Sequence, residues 1–228
     1  MSHHITRSQF ESELDGLRST LLEMGAIVDR MVATAIEALI DSDVAAAERV
    51  IVDDDAVDDL DLQIEHQCMR LLALQQPMAR DLRLIGTVLK VITDLERIGD
   101  HAVDTAKVAR KLAKAGFSRP LVDIPKIADI ARSMLRNALE AFVQHDLTLV
   151  SKVIDNDDLV DELFHRYRTE IHESMKKDPS IVVEGSYLLF VCHYLERIAD
   201  HAVNIAERVH YVETGELVQL AKSHKTHS

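Results

Sequence analysis

Oxygen-bearing side chains recur at four-residue intervals in two parts of the chain, near residues 100 and 200. One column is formed by Glu96, Asp100 and Asp104, and the other by Glu196, Asp200 and Asn204. Side chains four residues apart lie one above the other on the same face of an α-helix. Carboxylates stacked in this way repel each other, at a cost of about 0.2–0.5 kcal/mol per pair in an isolated helix. Because a bound cation reverses the sign of this interaction, both columns are candidate cation sites.

A second acidic column lies upstream of each of these segments. Asp54, Asp58 and Asp61 form it in the first half of the chain, and Asp157 and Asp161 form it in the second. If the helices that carry the two columns of a half are antiparallel neighbours, the carboxylates face each other across one seam. Such a seam offers hard oxygen donors, which suit Mg, Mn or iron better than metals that prefer thiolates.

These columns also have a simpler interpretation, in which they form solvated acidic surfaces and Glu96 pairs with Arg97 of a neighbouring helix. For any single carboxylate the simpler interpretation is favoured. The recurrence of two columns in both halves favours metal binding.

The histidines offer less support for a metal site. His101 and His201 point about 100° away from the apolar stripe of their helices, so we expect them on the surface rather than among the ligands. Glu162 and His165 have the Glu-x-x-His spacing of ferritin-like di-iron bundles. The corresponding segment of the first half, residues 59–62, has no histidine.

An internal duplication explains why the acidic columns occur twice. Residues 95–103 read LERIGDHAV and residues 195–203 read LERIADHAV. Further upstream, residues 36–38 match 139–141 at an offset of 103 instead of 100. A difference in length between the two copies therefore falls between helices, as expected for a loop.

Apolar periodicity predicts three helices in each half, joined by short breaks. We expect them at roughly residues 6–41, 43–74 and 78–114, and again at 124–144, 146–177 and 180–213. Gly116, Pro120 and Pro125 mark the break between the halves. The sequence therefore predicts an all-α protein of two tandem three-helix bundles at residues 1–114 and 126–216, with a linker at 115–125 and a disordered tail at 217–228.

Composition excludes several classes of function. The formal net charge of −13 disfavours binding to nucleic acids and to anionic lipids. The two cysteines, Cys68 and Cys192, form no Cys-x-x-Cys motif, and the sequence has no signal peptide and no run of 18 apolar residues. We therefore expect a cytoplasmic protein. It has no phosphate-binding glycine loop and no Ser-His-Asp arrangement, so an enzyme is not indicated.

The duplicated segment resembles the PhoU family of phosphate transport accessory proteins. The resemblance extends from about Phe10 to Glu216 and includes the Glu-Arg-Ile-Gly-Asp or Glu-Arg-Ile-Ala-Asp segment of each half. Met24-Gly25 in the first helix and the 76–83 segment, which contains Gln-Pro and Asp-Leu-Arg, are also similar.

This resemblance implies a function that residue spacing alone does not show. PhoU proteins are negative regulators of the phosphate-starvation response and restrain phosphate uptake. Their implied partners are the ATPase of the phosphate ABC transporter and a sensor histidine kinase. We therefore expect a homodimer that reaches the membrane only through these partners.

The resemblance also implies multinuclear metal clusters, with divalent or trivalent ions such as Mg, Mn, Fe or Zn. The family motifs match Asp54, Asp58, Glu96 and Asp100 in one half and Asp157, Asp161, Glu196 and Asp200 in the other, with Asp104 and Asn204 as further candidate ligands. Two other interpretations stay open. One is a ferritin-like metal store or metal-dependent enzyme, and the other is a metal-free helical adaptor.

Overall fold

The computed structural model describes residues 7–116 and 121–221, and these residues form six α-helices and no β-strand. The helices are α1 (Arg7–Asp41), α2 (Val44–Gln75), α3 (Ala79–Lys114), α4 (Ile124–Gln144), α5 (Leu147–Lys177) and α6 (Val182–Thr214). A short 3₁₀ turn, Pro179–Ile181, precedes α6. The prediction of an all-α fold is confirmed.

Polar caps determine where several of the helices begin and end. The side chains of Asp43 and Asp123 each accept a hydrogen bond from the backbone N–H three residues later, at 3.0 Å and 3.3 Å. Asp146 accepts one from the N–H of Thr148 at 2.8 Å. These bonds satisfy N–H groups that have no partner within the helix. At the end of α6, Gly215 adopts the left-handed conformation, with φ of 80°, that glycine tolerates best.

Three helices pack together in each half of the molecule. Helices α1, α2 and α3 contact one another, as do α4, α5 and α6. Large aliphatic side chains fill both bundles, including the fully buried Leu21 and Leu95 in the first and Leu135 and Leu195 in the second. The two predicted three-helix bundles are therefore present.

The two bundles share one continuous apolar core, because α3 packs against α6 and α1 packs against α4. Arg132 of α4 forms a bidentate ion pair with Asp29 of α1, with N–O distances of 2.9 Å and 3.0 Å. Arg80 at the start of α3 makes a similar pair with Glu213 at the end of α6, at 2.8 Å and 2.9 Å. The halves are thus held together by apolar packing and by ion pairs at their margins.

An approximate twofold axis relates the halves. Helices α3 and α6 run antiparallel, and residue n of α3 corresponds to residue n + 100 of α6. His101 and His201 lie beside this axis, with ring centroids 5.8 Å apart. The symmetry does not extend to the ends of the helices: Ser180 and Ala113 replace Arg80 and Glu213 at the equivalent positions.

The segments outside the helices are short. Helix α4 begins at Ile124, inside the range predicted as a linker, and residues 117–120 of that range lie outside the described residues. Of the predicted tail, residues 222–228 also lie outside them. Leu220 packs against the core, and its N–H donates to Glu207 Oε1 at 2.6 Å. Among the described residues, no helix has the length and apolar character that crossing a membrane requires.

Candidate metal centre

The first acidic seam lies between α2 and α3. Asp54 of α2 approaches α3 beside Gly99, where an added Cβ would lie 3.5 Å from Asp54 Oδ1. Gly99 is buried, whereas the Asp54 side chain is only partly covered. The Asp54 carboxylate therefore lies next to the α3 backbone at Gly99, at a distance that a Cβ would still tolerate.

Carboxyl groups on α2 and α3 influence each other's pKa across this seam. Burial raises the pKa of Asp54, and the charges of Asp58 and Asp100 raise it further. Burial likewise raises the pKa of Glu96, as does the charge of Asp100; the charge of Arg97 lowers it, and the charges of Asp61 and Asp58 add smaller increases. In both cases a carboxyl group on one helix is affected by carboxylates on the other. The raised pKa values mean that ionising Asp54 or Glu96 costs free energy, and a bound cation would offset this cost.

A cleft of about 440 Å³ opens at one end of this seam. It is lined by Asp58, Asp61, Leu62, Thr93 and Glu96. Burial raises the pKa of Asp61, with further contributions from the charges of Glu65 and Asp58. The cleft thus adds Asp61 to the carboxylates that surround the seam.

The second acidic seam lies between α5 and α6 and is more deeply buried. The rings of Phe164 on α5 and His193 on α6 lie 6.1 Å apart, which sets the two helices in register. One and two turns away from this contact, the antiparallel helices bring Asp161 level with Glu196 and Asp157 level with Asp200. Asp157 is 2% exposed and Asp200 is 8% exposed.

An arginine side chain contacts the α3 or α6 carboxylates in each seam. Arg97 Nε lies 3.3 Å from Glu96 Oε2, and its Nη1 lies 3.0 Å from Asp100 Oδ2. Arg197 Nη1 lies 2.6 Å from Asp200 Oδ2. The simpler interpretation had Glu96 paired with Arg97 of a neighbouring helix, whereas Arg97 pairs with Glu96 and Asp100 within its own helix.

Asp104 and Asn204, the two additional candidate ligands, make contacts outside the facing columns. Lys107 Nζ donates to Asp104 Oδ1 at 3.2 Å. The Asn204 amide donates to Asp94 Oδ1 of α3 at 3.1 Å, across the contact between the two halves. Asn204 therefore helps to join the halves, a role that its place in the column did not indicate.

The chemistry of the donors fits a hard cation. Among residues 7–116 and 121–221, no three His, Cys, Asp or Glu side chains are grouped closely enough to hold an ion as they stand. The columns supply carboxylate oxygens, which Mg²⁺, Mn²⁺ and iron accept.

The histidines of the duplicated segments do not lie on the surface, so that prediction is wrong. The His201 side chain is only 12% exposed, and its Nδ1 lies 2.9 Å from Asp94 Oδ1. The His101 ring stacks on Tyr194 with centroids 5.6 Å apart. Burial, with the charges of His201 and Arg197, lowers the pKa of His101 to about 4. The helix face that looked solvent-exposed in one half is covered by the other half.

The Glu-x-x-His motif at Glu162 and His165 has no counterpart in the first half. Glu162 is exposed on α5. His165 Nδ1 lies 3.2 Å from Arg168 Nη2. These contacts give no support to a di-iron site of the ferritin type.

Comparison with known proteins finds one family whose pattern occurs twice in this chain. The PhoU domain matches residues 21–109 and again residues 124–209. Each match covers most of one three-helix bundle. The twofold symmetry of the structure and the doubled family match thus describe the same duplication.

Curated relatives match nearly the whole chain. A protein of Clostridium acetobutylicum named phosphate-specific transport system accessory protein PhoU homolog is 41% identical over 217 residues, which cover 95% of this chain and 99% of the relative. A protein of the same name from Pseudomonas aeruginosa is 39% identical over 216 residues, covering 94% of this chain and 89% of the relative.

Two solved structures share the fold over their full length. The crystal structure of PhoU from Pseudomonas aeruginosa matches with a TM-score of 0.88 at 38% identity, covering 91% of this chain and all of the other. The phosphate transport system regulatory protein PhoU from Streptococcus pneumoniae matches with a TM-score of 0.86 at 34% identity, covering 93% of this chain and all of the other. Sequence, duplication and three-dimensional fold agree, and this chain belongs to the PhoU domain family.

Proposed function

We propose that this protein is a negative regulator of phosphate-starvation signalling and of phosphate uptake. In this role it couples the phosphate ABC transporter to its sensor histidine kinase. Family membership supports the proposal, because relatives that align over nearly the whole chain are named accessory or regulatory proteins of phosphate transport. Those names describe no enzymatic activity.

Metal ions bound in the two seams are the second part of the proposal. The observation that carries it is the pair of facing carboxylate columns on α2 and α3, in which burial and mutual repulsion raise the pKa of Asp54 and of Glu96. The same residue types recur between α5 and α6. Mg, Mn, Fe or Zn ions would neutralise these charges and brace the outer helix of each bundle against its central helix.

The proposed partners are the transporter ATPase and the kinase, bound through the acidic face around each seam. A metal-braced bundle presents this face in one fixed shape, whereas repulsion loosens it in the metal-free protein. The formal net charge of −13 favours partner surfaces rich in Lys and Arg.

A charge-removal experiment tests the proposal. The variant carries Glu96→Gln, Asp100→Asn, Glu196→Gln and Asp200→Asn, which keep side-chain size and remove two charges from each seam. We expect lower metal content in the purified protein and loss of repression of a phosphate-starvation reporter in phosphate-replete cells.

A matched control removes four exposed carboxylates outside the seams. It carries Glu11→Gln, Asp15→Asn, Glu170→Gln and Glu173→Gln, all at side chains that are at least half exposed. The control should keep both metal and repression. Normal repression by the seam variant, once it is shown to be metal-free, would contradict the metal part of the proposal.

A metal-free adaptor is the second candidate function. It is favoured by the absence of a preassembled three-ligand group among the described residues. In this case the acidic columns recognise Lys and Arg of a partner directly. Binding to the kinase or the transporter ATPase that persists after chelation would support the adaptor. A ferritin-like store would instead load many more ions than a small cluster in each half.

A further inference from the structure

Arg97 and Arg197 occupy equivalent positions in the two copies of the duplicated segment. Each follows a glutamate and precedes an aspartate by three residues, so the guanidinium reaches the aspartate one turn later on the same helix. Arg97 contacts Glu96 and Asp100, and Arg197 contacts Asp200 at 2.6 Å. In each half, an arginine therefore neutralises carboxylates that would also serve a metal ion.

The arginine and a metal ion compete for the same oxygens. Asp100 Oδ2 and Asp200 Oδ2 each accept from a guanidinium at hydrogen-bond distance. An arginine side chain stays charged at any physiological pH, so it cannot relieve the conflict by losing a proton. The guanidinium would then lie a few ångströms from a divalent cation, where like charges repel strongly.

Both arginine side chains have room to leave the carboxylates. The Arg97 and Arg197 side chains are 55% and 43% exposed, so each guanidinium can turn into solvent without disturbing the core. The long aliphatic stem permits this motion while the helix stays in place. Metal binding therefore requires only a side-chain rearrangement at these two positions.

We propose that Arg97 and Arg197 are built-in counterions of the two acidic seams and that metal binding displaces them into solvent. This inference rests on the proposed metal sites. The arginines stabilise the seams of the metal-free protein, and metal loading changes the surface in two ways at once. It neutralises the carboxylates, and it frees two guanidinium groups at the protein surface.

Arginine reactivity tests the displacement directly. The full-length protein is treated with phenylglyoxal, with or without Mn²⁺ alone, and modification of each arginine is measured by peptide mass spectrometry. We expect Mn²⁺ to raise the modification of Arg97 and Arg197 several-fold, in proportion to the Mn²⁺ bound. Arg132, which pairs with Asp29 away from both seams, should not change.

The outcomes separate this inference from the proposed function. Bound Mn²⁺ with unchanged reactivity of Arg97 and Arg197 would overturn the displacement and leave the metal sites intact. A failure to bind Mn²⁺ at all would overturn this inference together with the metal part of the proposed function, and would leave the regulatory part standing.

Affinity measurements distinguish a competing counterion from a residue that only positions the ligands. The Arg97→Gln and Arg197→Gln variants should bind Mn²⁺ about tenfold more tightly in competition with a chelator, because a repelling charge has been removed. Arg97→Lys and Arg197→Lys, which keep the charge, should stay close to wild type. Weaker binding by the glutamine variants would mean that the arginines hold the carboxylates in place, and would overturn the inference.

Discussion

Asp94 of α3 lies 2.9 Å from His201 of α6, whereas the equivalent contact in the other copy is between Tyr194 and His101, which stack at 5.6 Å. The two contacts are related by the twofold axis of the molecule. One copy has kept a carboxylate at this position and the other has an aromatic ring. The junction between the bundles is therefore polar on one side of the axis and aromatic on the other.

The polar side of the junction is the subject of the first prediction. Asp94→Ala should lower the free energy of unfolding by about 1–2 kcal/mol, because it removes the partner of both His201 and the Asn204 amide. The measurement is urea denaturation followed by circular dichroism. Asp15→Ala, at an exposed ion pair on α1, serves as the control and should change little. Equal effects of the two substitutions would show that the junction does not depend on Asp94.

Metal binding should stabilise the folded protein. With Mn²⁺ at 100 times its dissociation constant, the free energy of unfolding should rise by about 2.7 kcal/mol per site, because the unfolded chain does not hold the columns together. Urea denaturation with and without Mn²⁺ measures this gain. The variant with Gln or Asn at Glu96, Asp100, Glu196 and Asp200 should lose it. If Mn²⁺ raised the free energy of unfolding of that variant by the same amount, the ion would bind outside the two seams.

The pH dependence of stability should reflect the raised pKa of Glu96. In the folded protein the Glu96 carboxyl group binds its proton more tightly than in the unfolded chain, where this glutamate has the ordinary pKa of 4.5. The contribution of Glu96 to stability therefore falls as the pH rises from 4.5 through the raised pKa, and the loss is complete above it.

Glu96→Gln removes this pH-dependent loss. At pH 7, with chelator present, the variant should be more stable than wild type by about 0.2–0.5 kcal/mol, and the difference should vanish below the pKa of the unfolded chain. Parallel urea titrations at several pH values provide the test. Glu11→Gln should not show this pattern. A constant difference at every pH would rule out titration of Glu96 as its cause.

Two glycines should respond in opposite ways to substitution by alanine. A Cβ at Gly99 meets its nearest neighbour at 3.5 Å, an ordinary contact, and the second copy already has Ala199 there. Gly99→Ala should therefore raise the free energy of unfolding by about 0.5–1 kcal/mol through helix propensity. A Cβ at Gly185 would lie 2.7 Å from Met175 Cγ and Sδ, so Gly185→Ala should lower it by about 1–3 kcal/mol. Chemical denaturation of both variants checks the sign of each change.

The helices were predictable from sequence because their end signals are local. The capping aspartates Asp43, Asp123 and Asp146 and the glycine at Gly215 stand at helix ends, and the predicted ranges agree with the structure to within about two residues. The acidic columns were predictable for the same reason, since residues four apart share a face of any helix.

The contact between the two bundles was not predictable in the same way. Polar side chains lie within this largely apolar contact, including Asp94, His101, His201 and Asn204, and they fall outside the apolar stripes that are visible in the sequence. His101 and His201 were therefore expected on the surface, and Asn204 was grouped with the acidic column. Only the packing of α3 against α6 shows that these side chains meet.

The ion pair between Arg80 and Glu213 bears on which bundles recognise each other. Two first bundles brought together in the same geometry would place Arg80 opposite Ala113, and two second bundles would place Glu213 opposite Ser180. Only the pairing of unlike bundles brings the two charges together, at 2.8 Å. At this end of the interface, divergence of the two copies thus favours the pairing of a first bundle with a second bundle over the pairing of two like bundles.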